Sequence, residues 1–133
     1  MSSVLENPPN PRFAFETADR LPPRGSGRAR YNDGDSIVHV VLVRWKPEAC
    51  RAELGELAEL AGAFPDAIPG VLAVHCGPST SPEGLEGGYE WALVVSFASS
   101  SARDDYLPHP AHQPVAQLIS RLAEQVVVFD VDA

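Results

Sequence analysis

The sequence predicts an α+β fold of ferredoxin-like βαββαβ order. Four β-branched runs of strand length recur along it, two stretches with helical spacing each bridge a pair of those runs, and a Gly/Ser/Pro-rich loop joins the middle two. At 133 residues the chain suits one domain with a real core.

Each element follows from its residues. SIVHVVLVRW (36–45) reads as a strand. Pro47 and Glu48 then open a helix to Phe64, with Leu54, Leu57, Ala58, Ala61 and Phe64 at the i, i+3, i+4 spacing of one buried face. PDAIPG ends it, VLAVHCG (71–77) is the second strand and YEWALVVSF (89–97) the third. SSSARDDYL is a short helix with serines available as caps. VAQLISRLAEQ is helical, with Val115, Leu118, Ile119 and Leu122 on one side, and VVVFDVD (126–132) is the last strand.

The strands are apolar on both faces. His39, Val41, Val43 and Trp45 alternate with Val38, Val40 and Leu42, while Trp91, Leu93, Val95 and Phe97 alternate with Ala92 and Val94. Two helices cover only one face of such a sheet. A second sheet is expected on the other, supplied by another copy in a twofold homodimer.

Residues 1–35 form a separate region. They hold five of the thirteen prolines and balanced charges, and they read as a tail; RFAFE, with Phe13 and Phe15, offers the alternative of a strap across the domain. The whole net charge of −8 therefore lies in residues 36–133, with thirteen acidic and five basic side chains. That surface repels phosphate backbones and argues against nucleic acid as a partner. With neither a signal-peptide run nor a stretch long enough to span a bilayer, the expectation is a soluble cytoplasmic protein with no membrane partner. Cys50 and Cys76, far apart and outside any CxxC arrangement, are expected to be reduced.

DYLPHPAHQPV (105–115) concentrates the chemistry. Pro108, Pro110 and Pro114 exclude a continuous helix. Pro114 fits a first turn, so the last helix should start near Gln113 with His112 at its mouth, where the dipole favours neutral imidazole. Tyr106, folded back by the turn, is expected beside it, and a phenol next to an imidazole can position a carbonyl oxygen or pass on a proton. His39 adds a polar group on the face expected to meet the helices. His109 reads as a residue securing the turn and His75 as structural. No metal site is expected, since His109-x-x-His112 has neither a nearby Cys nor a clear carboxylate ligand. GLEGG is not followed by GK[ST] and is not a phosphate loop.

IVHVVLVRW, IPGV, GYEWALVVSF and above all DYLPHPAHQPV followed by a helix and VVVFD resemble the stress-responsive dimeric α/β-barrel (Dabb) family over about residues 37–131. The resemblance implies a ferredoxin-like protomer paired into a barrel. In a polyketide-cyclising plant member, the working tyrosine and histidine fall on Tyr106 and His112, and a pocket histidine falls on His39. A second pocket histidine falls on Trp91, so the same substrate is not implied. By this likeness the chain is a cofactor-independent cyclase or lyase acting on a small polyketide or β-dicarbonyl substrate. Tyr106 and His112 would be catalytic, His39 would orient the substrate, and Val41, Val43, Trp91 and Leu93 would wall the pocket. A non-catalytic small-molecule-binding stress protein and a cofactor-free oxygenase remain the alternatives.

Overall fold

A computed structural model describes residues 35–133, so the reading of the first residues as a tail or strap lies outside the described residues. The elements are β1 (Ile37–Trp45), α1 (Arg51–Gly62), α2 (Phe64–Ala67), β2 (Val71–Pro78), β3 (Trp91–Phe97), α3 (Ser100–Tyr106), α4 (Gln113–Leu122) and β4 (Ala123–Asp132). The strands form one antiparallel sheet in the order β2-β3-β1-β4, which is the expected ferredoxin-like arrangement.

Two boundaries differ from the sequence reading. The first helix begins at Arg51, because Lys46 and Ala49 close a turn and the Glu53 carboxylate accepts from the Cys50 amide at 3.4 Å, capping the helix there. The last helix stops at Leu122. Ala123 and Gln125 pair with Trp45 and Arg44 instead, and Arg44 donates to the Gln125 side chain at 2.5 Å. Sheet pairing there outweighs the helical propensity of AEQ.

Alternation along β1 sets the two layers. Ile37, His39, Val41, Val43 and Trp45 are buried beneath the helices, and the residues between them are half-buried. Trp91, Leu93, Val95 and Phe97 of β3 continue the core, which α1 closes with Leu57 and Ala61, α2 with Phe64, and α4 with Val115, Leu118, Ile119 and Leu122. Each fully buried Val, Leu, Ile or Phe side chain among them contributes about 1.5–3 kcal/mol by leaving water. On the opposite face Val38, Val40, Leu42 and Val94 carry no covering layer among the described residues, and Phe129 and Val131 of β4 are 61% and 45% exposed. A bulge between Val71 and Ala73 shifts the pairing, leaving His75 opposite Val94 and exposed on that face.

Two local devices fix the connections around the helices. Gly70 adopts φ +89° next to α3, where a Cβ would come within 2.5 Å of the Ala102 Cβ. The Ser99 hydroxyl caps α3 by accepting from the Ala102 amide at 3.1 Å.

Candidate functional site

The proline-rich corner forms tight backbone links. Amides of His109, His112 and Gln113 donate to the carbonyls of Tyr106, His109 and Pro110, and α4 then starts at Gln113 with Pro114 in its first turn. His109 secures this corner, its Nδ1 accepting from the Ala111 amide at 3.0 Å. The fold-back places the Tyr106 ring on the His112 ring, with centroids 4.2 Å apart and planes tilted by 38°.

Tyr106 is fully buried. Phe97, Phe64 and His39 surround its ring at 4.8, 5.4 and 5.8 Å. Its hydroxyl has no hydrogen-bond partner among the described residues, so tyrosine and histidine meet ring to ring and not through a hydrogen bond. Burial pushes the phenol pKa well above its ordinary value, so the hydroxyl stays a proton donor at neutral pH.

The Nδ1 of His112 lies 3.0 Å from the Leu107 carbonyl oxygen. A carbonyl only accepts, so the Nδ1 carries the proton and the Nε2 keeps its lone pair. The His112 pKa is lowered, chiefly by burial and also by nearby His39, while the bond to Leu107 opposes the shift. Burial is therefore the leading cause of the neutral imidazole that the helix mouth was expected to favour.

His39 is 5% exposed and held from the far side. Its Nδ1 is 2.7 Å from the Asp130 Oδ1, and the other Asp130 oxygen accepts from Arg103 at 2.6 Å. A carboxylate accepts, so this contact fixes the His39 proton on Nδ1 in the neutral ring. Asp130 and Arg103 are site residues that the sequence reading missed. Asp130 sits opposite His39 in the β1–β4 register, a pairing that local patterning does not reveal.

The His39, Tyr106 and His112 rings line a cleft of about 380 Å³ between α4 and the sheet, with Asp130 and Arg103 outside its lining. His39, Val41, Leu93, Tyr106 and His112 contribute to it, along with Leu107, Ile119, Val126 and Val128. Its lining is mainly apolar with a few polar groups, the composition of small-molecule pockets. Val43 and Trp91, expected as walls, are not among its lining residues. Val43 is fully sealed in the core, and Trp91 packs against Trp45 in a second cleft further along the strands. Strand alternation gives the face on which these two residues lie but not their position beneath the helices.

The fold and the cleft together define a small ferredoxin-like protein whose helix layer covers a pocket of three clustered polar rings. Residues 37–133 match the Stress responsive A/B Barrel Domain (Dabb), and the chain belongs to that family. It is similar to olivetolic acid cyclase from Cannabis sativa, with 25% identity over 95 residues spanning 71% of this chain and 94% of that protein. It is also similar to a stress-response A/B barrel domain-containing protein of Arabidopsis thaliana, with 29% identity over 94 residues, covering 71% and 86%. Among solved structures, a dimeric ferredoxin-like protein of unknown function from Thermobifida fusca superposes with a TM-score of 0.66 at 21% identity, covering 77% of this chain and 95% of that one.

Proposed function

We propose that the cleft performs cofactor-independent acid–base chemistry on a small polyketide or other β-dicarbonyl compound, closing or cleaving a carbon–carbon bond as an aldol-type cyclase or lyase. The observation that carries this reading is the pairing of a free His112 Nε2 lone pair with a buried Tyr106 hydroxyl that lacks a partner. The His112 Nε2 removes a proton α to a carbonyl and becomes imidazolium. The Tyr106 hydroxyl donates to the oxygen on which negative charge develops, first as an enolate and then as an alkoxide. The enolate carbon attacks a second carbonyl of the same molecule, and the imidazolium returns its proton to the alkoxide. His39, held by Asp130, orients the dicarbonyl, while Val41 and Leu93 pack against its apolar part.

The apolar sheet face, uncovered among the described residues, supports a homodimer built sheet on sheet, as does the likeness to a protein described as dimeric. The reaction is tested by incubating the protein with a linear polyketide thioester and following ring-closed product by mass spectrometry. Product above the buffer rate is expected, with His112→Ala and Tyr106→Phe each reduced on the order of 10²-fold or more. Undiminished turnover in both variants removes the mechanism.

A further inference from the structure

A second cleft of about 490 Å³ opens between α1 and the far end of the sheet. It is distinct from the first, because fully buried Val43 lies between Val41 of one and Trp45 of the other on the same face of β1. One wall is the Trp45–Trp91 pair, with ring centroids 5.3 Å apart, and Arg51 lies on the rim.

Gly55 points to a use for this space. Glycine in a helix interior costs about 1 kcal/mol relative to alanine, and Gly55 lies within α1. No close packing demands it, since a Cβ there would meet nothing within 4 Å. Gly55 instead lines the cleft beside Ala58 and Gly77, so α1 keeps the space open at the expense of its own propensity. Charge supplies the second clue. Arg44, Arg103 and Arg121 each engage another side chain, whereas the Arg51 guanidinium has no ion pair or side-chain hydrogen bond among the described residues. On a chain of net charge −8 it is a local cation at the mouth of an aromatic cleft.

We infer that this second cleft binds a small aromatic monocarboxylate, its ring against the Trp45–Trp91 pair and its carboxylate on Arg51. Glu90, on the same rim, disfavours a dianion. The site lies on the helix side of the sheet and stays open when the opposite face is covered. It is independent of the acid–base reading of the first cleft.

The chain has only two tryptophans and both line this cleft, so intrinsic fluorescence reports on it directly. The test is titration of the full-length protein with 4-nitrobenzoate, with free N-acetyltryptophanamide as the reference for collisional quenching. Saturable quenching is expected, roughly fivefold weaker in Arg51→Gln and with neutral 4-nitrobenzamide. It should be lost in Gly55→Leu at unchanged helical circular dichroism and retained in His112→Ala. Quenching that does not saturate, ignores the Arg51 charge or survives Gly55→Leu overturns the assignment, and loss in His112→Ala places the ligand in the first cleft instead.

Discussion

Tyr106→Phe should make the protein more stable and less active. The hydroxyl is fully buried and unpartnered among the described residues, and an unpaired buried polar group costs about 1–3 kcal/mol. Phenylalanine keeps the ring contacts with Phe64, Phe97 and His112 and leaves no cavity larger than one oxygen. After the loss of that atom's own packing, a net gain of about 1 kcal/mol is expected, or roughly 4–8 °C in Tm for a domain of this size. Thermal melts by circular dichroism, run on both proteins at equal protomer concentration, measure it. On the proposed role, a hydroxyl held unpaired until substrate arrives raises Tm when removed and lowers turnover on the order of 10²-fold or more, a trade of stability for function. A lower Tm for Tyr106→Phe shows that the hydroxyl is already bonded in the resting protein and refutes the reasoning.

His112 gives a pH dependence of definite sign. Its folded pKa lies below the ordinary imidazole value, so its contribution to stability is complete above about pH 6.5 and is lost as pH falls through the lower folded value. The acid limb of kcat/KM against pH should likewise lie below pH 6.5 or so, and a limb above it contradicts burial as the cause. Gly70→Ala should cost about 1–3 kcal/mol in chemical denaturation, because of its φ of +89° and the 2.5 Å approach to Ala102. Adding Ala102→Gly should recover only the part due to the close approach. Val40→Glu, on the uncovered face, should yield a monomer by sedimentation equilibrium, and an unchanged dimer would locate the interface elsewhere. Asp130→Asn should lower turnover about tenfold while leaving the fold intact, since it weakens the hold on the His39 tautomer; full activity would limit His39 to packing.

The fold was legible because its signals are local. Alternation in IVHVVLVRW gave the buried face of β1, and Pro114 located the start of α4 at Gln113. The end of α4 was not legible, since pairing of Ala123 and Gln125 with β1 is a long-range contact that overrides a helical pattern. The same division runs through the site. Tyr106 and His112 meet across a short corner whose prolines dictate the turn. Asp130 and Arg103 reach His39 only through strand register and α3 docking, which residue spacing does not encode. Trp91 carried the correct face but the wrong cleft, because alternation is blind to position along a strand.

Proton removal by His112 is the core of the proposed chemistry, and it is measured most directly by NMR as deuterium uptake at the α-carbon of a β-keto thioester in D2O. Wild-type protein should accelerate exchange above the buffer rate, and His112→Ala should return it to that rate. Exchange at the buffer rate with wild-type protein, or undiminished acceleration by His112→Ala, would contradict it.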